Sequence, residues 1–204
     1  MAGRVMSEEM RAYYHRRAAE YDDWWLGTGR FAGIERPGWA EEVDALVDVV
    51  AGLPPARVLD VACGTGFLTR HLRGDVVALD QSEAMVEIAA ARMPHARVVR
   101  GEAVPLPFPD AAFDRVFTGH FYGHLLPAEA EAFLREARRV GGELVVVDSA
   151  HEPGREPEQW QDRALNDGSR HRVYKRFFTA EGLVAELGGG RVLHAGRWFV
   201  VVAA

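Results

Sequence analysis

From residue 56 to residue 149 one alternation governs the chain: short valine-rich apolar runs, most of them followed by an amphipathic stretch. ARVLDVA, DVVALD, ARVVRGEA, FDRVFTGHF and ELVVVDS read as strands, while GFLTRHLR, SEAMVEIAAARM and LPAEAEAFLREARRV carry helical periodicity. Ser82 stands where an N-cap hydroxyl meets a free backbone N–H, and Pro127 falls in a first helical turn. Strands that are apolar on both faces must be covered on both. The pattern therefore predicts an α/β fold, a parallel sheet between helical layers. The end of the chain departs from it. TAEGLVAEL predicts a helix capped by Thr179, and after GGG the stretch RVLHAGRWFVVVAA holds two strand-like runs around Ala195-Gly196, a hairpin. An antiparallel pair thus closes a parallel sheet.

Residues 1–40 read as a helical, aromatic-rich leader. Tyr14, Ala18, Tyr21 and Trp25 recur at helical spacing and would share one face until Gly27 and Gly29 break the pattern. WAEEVDALVDVVA is a second amphipathic helix, stopped by Gly52 and Pro54-Pro55. Between residues 150 and 172 the polar segment HEPGREPEQWQDRALNDGSRHR predicts a loop with a short helix over 159–165. These parts make one domain of 204 residues: a leader or lid over 1–40, a core over 55–150, and a closing segment over 151–204. A formal net charge of -6 disfavours a general nucleic-acid surface. Cys63 is the single cysteine, which excludes an internal disulfide framework and a cysteine zinc cluster. No apolar run reaches spanning length, and MAGRVMSEEMRAYYHRR lacks the apolar centre of a signal peptide. A cytoplasmic protein without membrane contact is the expectation.

The chemistry gathers at VLDVACGTG, residues 58–66. Asp60 lies in a buried strand, where a carboxylate is costly unless something polar meets it. Gly64-Thr65-Gly66 follows the strand and is expected to open a helix, whose free N–H groups and positive dipole end favour a polar ligand. Two ligands use such a corner: a dinucleotide pyrophosphate, or the amino-acid and ribose portions of S-adenosylmethionine. The dinucleotide fingerprint wants a small residue three places on, where Thr69 follows Phe67 and Leu68. Asp60 suits an ammonium group and repels a pyrophosphate. Asp80 ends the second strand, where an acid accepts ribose hydroxyls, and Glu102 follows the third beside the Ala103 N–H. Three acids therefore face one crevice. His120 and His124 in TGHFYGHL have helical metal-pair spacing but no acidic third ligand, which leaves them, with His151, as candidate bases and no metal expected. The run Arg170-His171-Arg172 with Lys175-Arg176 reads as a solvated strand face or, alternatively, as recognition of an acidic acceptor.

VLDVACGTGFLTRHL, VVALDQSEAM, GEAVPLPFPDAAFDRVF and FLREARRVGGELVVVD resemble, in order and spacing, the motifs of class I S-adenosylmethionine-dependent methyltransferases. The nearest branch is the small-molecule one that includes the ubiquinone and menaquinone methyltransferases. The resemblance implies a Rossmann-like seven-stranded sheet with an antiparallel last strand, helices on both faces and an N-terminal helical cap. It implies S-adenosylmethionine as methyl donor, S-adenosylhomocysteine as product, and a small-molecule acceptor; the sequence leaves monomer and homodimer both open. Asp60 would then meet the methionine ammonium, and the backbone at Ala62, Gly64 and Gly66 would line the methionine and ribose. Asp80 would bind the ribose, Gln81 and Met85 would flank the adenine, and Glu102 with Ala103 would read its edge. Thr118 would sit below the sulfonium. Apart from the resemblance, Tyr14, Tyr21, Trp24 and Trp25 read either as packing of the leader helix or as a lid whose ring faces shield the sulfonium, and His120 reads as the base. Two departures from the family stand out: Glu102 where Asp is usual, and a shortened turn at Arg139-Val140-Gly141-Gly142, which implies a looser helix–strand junction. Two other functions fit parts of the pattern. A nicotinamide-dependent oxidoreductase is disfavoured by Thr69 and Asp60; a catalytically silent, cofactor-binding regulatory protein is not excluded by any residue.

Overall fold

The computed structural model describes residues 7–204, so the first six residues of the 1–40 leader lie outside the described residues. Strands β1 (Ala56–Val61), β2 (Gly74–Asp80), β3 (Arg97–Arg100), β4 (Phe113–Gly119) and β5 (Gly141–Ser149) are parallel, and β8 (Arg191–Ala195) and β9 (Phe199–Ala203) complete the sheet. The order is β3-β2-β1-β4-β5-β9-β8, with β9 antiparallel to both neighbours. This is the seven-stranded sheet with an antiparallel last strand that the sequence predicts.

Alternate residues of each central strand enter opposite layers. Val58, Phe117, Val145 and Val147 pack with Val43, Leu46 and Val50 of α3 (Trp39–Gly52). Leu59, Val61, Val116 and Val146 pack instead with Phe133 and Ala137 of α5 (Pro127–Val140) and Leu183 of α6 (Ala180–Glu186). Ala89 of α4 (Glu83–Arg92) meets Ala78 of β2. Ser82 and Thr179 cap their helices as expected, accepting from the N–H groups of Met85 and Gly182. Among the described residues no helix is long and apolar enough to cross a membrane.

The structure departs from expectation at five places. GFLTRHLR forms no α-helix: Gly66 is left-handed at φ +77° and Leu72 is already extended, so only a 3-10 turn over Thr69–His71 fits between them. The helix predicted over 159–165 is a strand. β6 (Glu158–Ala164) pairs antiparallel with β7 (Arg170–Arg176) as a separate two-stranded sheet. The basic run is accordingly not a wholly solvated face, since His171 and Lys175 are buried. The junction into β5 is tight, not loose: the Gly141 N–H caps α5 at Ala137, and a Cβ on Gly141 would come within 2.6 Å of Val116. Finally, the leader is broken into α1 (Glu8–Arg17), a 3-10 turn at Ala18–Glu20 and α2 (Asp23–Leu26). Trp25 therefore leaves the Tyr14–Tyr21 stripe and stacks on Phe67, ring centroids 4.7 Å apart.

Candidate active site

β1 lies between β2 and β4, so the chain reverses its direction of travel across the sheet there, and the crevice at the carboxyl ends of these strands is the natural ligand site. Both flanking exits turn sharply. Ala62 follows β1 at φ 60° and His120 follows β4 at φ 56°. A left-handed backbone at a non-glycine residue costs about 1–3 kcal/mol and persists only when its surroundings hold it. Here the Cys63 N–H donates to Leu79 at 3.0 Å and the His120 N–H to Val147 at 2.8 Å.

Asp80, at the end of β2, ties the corner together. Its Oδ2 accepts from the Gly64 N–H at 2.9 Å and its Oδ1 from the Ser82 N–H at 2.8 Å. Burial raises its pKa against the pull of those bonds. The Gln81 N–H also bonds this carboxylate, so of its roughly four acceptor sites about one stays open for a ribose hydroxyl. Asp60 is more isolated. It is 2% exposed, its Oδ2 accepts the Thr69 hydroxyl at 2.5 Å, and its Oδ1 has no hydrogen-bond partner. Burial pushes the Asp60 carboxyl up to about 8.

Two adjoining cavities open on this crevice. The first, about 50 Å³, is lined by Tyr14, Tyr21, Ala62, Gly64, Asp80, Gln81, Met85, Ala103 and His120, joined by Leu79, Gly101, Gly119, Phe121 and His124. Ten residues singled out in the sequence, His124 among them, are thus brought together. The second, about 390 Å³, lies between the leader, the end of β5 and the β6–β7 hairpin. Tyr14, Tyr21, His120 and His124 line both and form the partition. The partition is latched: His124 Nδ1–H donates to the Tyr174 carbonyl at 2.6 Å, leaving Nε2 to accept the Tyr14 hydroxyl at 2.9 Å. Burial keeps the His124 imidazole neutral, well below its usual pKa, and pushes the Tyr14 phenol up to about 12. Tyr21 roofs the glycine turn, where a Cβ on Gly64 would stand 3.5 Å from its ring.

Asp60, Gly66, Glu102 and Thr118 lie outside the lining of the first cavity. Gly66 backs onto α4, since a Cβ there would meet Met93 at 2.7 Å. Glu102 forms a two-pronged ion pair with Arg11 of the leader, both contacts 2.7 Å. Thr118 donates its hydroxyl to the Val61 carbonyl and braces β4 on β1. The leader is fastened elsewhere by Asp22, which accepts from Thr65 at 2.6 Å and Arg92 at 2.5 Å. Nothing in the spacing of these residues announces such ties across the chain.

His120 is walled by the rings of Trp24, Trp25 and Phe199. Its Nε2 is buried without a partner, while Nδ1 lies 3.5 Å from the Ser149 hydroxyl and 3.9 Å from Asp148. Burial lowers its pKa to about 3, against the opposing charge of Asp148. The imidazole is neutral at physiological pH. Asp148 is held by buried Lys175 and by the N–H groups of Gly123 and Ser149, at 2.7 and 2.8 Å. Among the described residues no three His, Cys, Asp or Glu side chains are placed to hold a metal.

The chain is similar to known proteins in sequence and in fold. Residues 58–141 match a methyltransferase-domain family. Over 110 residues the chain is 37% identical to a demethylmenaquinone methyltransferase of Renibacterium salmoninarum, covering 52% of this chain and 46% of that one. Over 156 residues it is 31% identical to the demethylmenaquinone methyltransferase of Thermotoga maritima, covering 72% of this chain and 64% of the relative. The chain thus spans about half the length of the curated relatives it matches. A solved structure described as a DhpI–SAM–HEP complex superposes with a TM-score of 0.75 at 27% identity, over 96% of this chain and 95% of that one.

Proposed function

We propose that this chain, by its fold and matched domain a class I S-adenosylmethionine-dependent methyltransferase, moves a methyl group from donor to a small-molecule acceptor across the Tyr14–His124 partition. The observation that carries the proposal is the pair of cavities meeting at four shared side chains, one beside Asp80 and Gly64, the other larger and open to the hairpin. The donor fits the residues present. Asp80 keeps about one acceptor site open for a ribose hydroxyl, and Asp60 holds an unpaired buried oxygen near the glycine turn for an ammonium. Bound there, S-adenosylmethionine supplies a methyl carbon activated by a sulfonium.

The protein's part is alignment and exclusion of water, which can lower such a barrier by several kcal/mol without any protein nucleophile. Tyr14 and Tyr21 cover the crevice with ring faces, which favour a sulfonium over the neutral thioether left after transfer. A volume of about 50 Å³ is far below the few hundred Å³ of a ligand pocket, so the tyrosines must lift before the donor enters. His120 is the proposed hydrogen-bond acceptor for the acceptor molecule, and takes its proton where the attacking atom carries one. Its low basicity makes this a weak base until an incoming ligand changes its surroundings. Trp24, Trp39, Phe177 and Trp198 wall the second cavity and suit a flat, unsaturated acceptor, in keeping with the quinone-named relatives.

Calorimetric titration with S-adenosylhomocysteine tests the donor site. Asp80→Ala should weaken binding about 10- to 100-fold, the scale of losing hydrogen bonds to a charged acceptor. Undiminished affinity in a folded variant, or a preference for NADH, would refute the assignment. Turnover of labelled donor against an acceptor panel separates an enzyme from a silent binding protein.

A further inference from the structure

We infer, resting on the donor–acceptor reading above, that the second cavity selects a small acceptor carrying an oxyanion, a carboxylate or a phosphonate, and that Arg17 and Arg163 hold that group. The charge of the cavity is opposite to that of the molecule. Six cationic side chains line it, Arg17, Arg30, Arg36, Arg155, Arg163 and Lys175, against the single acid Glu20, in a chain of net charge -6. Lys175 is satisfied by Asp148. Both oxygens of Glu20 are turned to the Asn166 N–H of the hairpin, at 3.0 and 3.2 Å.

The remaining cations meet rings and neutral groups instead of acids. Arg17 is only 8% exposed, and its guanidinium lies over the rings of Tyr21 and Tyr13, 4.9 and 5.7 Å from their centroids. Arg163 hydrogen-bonds the neutral Gln161 Oε1, at 2.8 and 3.1 Å. Arg36 donates to the Trp24 carbonyl and lies 3.8 Å over Trp39, and Arg155 lies 3.9 Å over Phe177. A charge nine-tenths buried without a counter-ion is costly to keep. Ring faces hold a guanidinium flat and leave its N–H edge free, and that planar fork matches a carboxylate or phosphonate. A cleft of one sign also concentrates ligands of the other. An uncharged acceptor would use the aromatic walls and leave the cations unanswered.

The test holds the ring constant and varies the head group. The full-length chain, with and without saturating S-adenosylhomocysteine, is titrated with 1-naphthoate, 1-naphthylphosphonate and the neutral 1-naphthamide, following tryptophan fluorescence. Both anions should bind at least about tenfold more tightly than the amide, and the tighter of the two identifies the head group. Arg163→Gln and Arg17→Gln should each weaken the anions about tenfold and leave the amide unchanged. Arg163 is absent from the donor-cavity lining but meets Tyr13 and Tyr14, so S-adenosylhomocysteine affinity is measured in each variant and the anion-to-amide ratio at saturating S-adenosylhomocysteine carries the result. Equal binding of amide and anions, or no binding of any probe by a chain that takes up S-adenosylhomocysteine, overturns the inference and spares the donor site. Anion binding without S-adenosylhomocysteine binding does the reverse.

Discussion

Binding of S-adenosylhomocysteine at pH 7 is expected to release nearly one proton from Asp60. Its carboxyl is buried, with one oxygen on Thr69 and the other unpaired, and burial pushes its pKa up to about 8. A group one unit above the ambient pH is about nine-tenths protonated. An ammonium brought against the unpaired oxygen favours the carboxylate, so about 0.9 proton leaves per ligand bound. Calorimetry in phosphate, HEPES and Tris reads this directly, because the observed heat varies with buffer ionisation enthalpy in proportion to the protons exchanged. The Asp60→Asn variant should bind more weakly and give a slope near zero. A second consequence concerns folding. The folded pKa lies above the unfolded value, so the folded state holds the extra proton between about pH 4 and pH 8. Stability contributed by neutral Asp60 is therefore complete below pH 4 and lost as the pH rises through 8. Asp60→Asn should match the parent in Tm near pH 4 and exceed it near pH 8. A buffer-independent heat in the parent protein at pH 7 would refute the reasoning, since it leaves Asp60 either already ionised or out of reach of the ligand.

Gly64→Val should abolish S-adenosylhomocysteine binding while the circular dichroism spectrum persists; the φ of +55° costs a side chain about 1–2 kcal/mol, and the Cβ would occupy the slot under Tyr21. Retained titration would remove the glycine turn from the site. Hydrogen exchange over residues 8–26 should slow when S-adenosylhomocysteine binds, because ligand contacts add to the ion pairs and to the buried Met10, Tyr13 and Trp25 that hold the leader. Protection that ligand does not change would make Tyr14 and Tyr21 ordinary packing. Lys175→Met should cost about 3–5 kcal/mol in urea unfolding by stranding Asp148 as a buried, uncompensated charge. Adding Asp148→Asn should recover much of that loss, and a single-variant cost below about 1 kcal/mol would contradict a buried ion pair.

The sheet was legible because strands buried on both faces need apolar residues at every position, and VVAL or LVVV has few other uses. The donor corner was legible because Gly64 follows the first strand and Asp80 ends the second, and adjacent parallel strands bring their ends together. Two errors have separate causes. In β6 the inward residues Gln161 and Arg163 are polar because they face a cavity and not a core, so the two-residue period carried no hydrophobic signal and looked like helix or loop. After β1, the periodicity of GFLTRHLR was real, but left-handed Gly66 and the inward pull of Asp60 on Thr69 left room only for a 3-10 turn. The partners of Glu102 and Asp22 lie 91 and 70 residues away, beyond the reach of any local pattern.

The β6–β7 hairpin shares no ladder with the seven-stranded sheet. It hangs from the core at its base, where the Phe178 N–H reaches Ser149 at 3.0 Å and the His151 N–H reaches Phe178 at 2.8 Å. Arg163 and Lys175 both ride on it. Val173 and Lys175 root β7 in the core, so selection is free to revise the cavity-facing side of β6 and the turn of the hairpin while the strands beneath keep their register. The chain is divided into a conservative chassis and an interchangeable tool. Descendants of one ancestor could diverge in what they modify without relearning how to hold the reagent that modifies it. Exchanging the cavity-facing residues of β6 and the turn with those of another member of the fold is the laboratory form of that history.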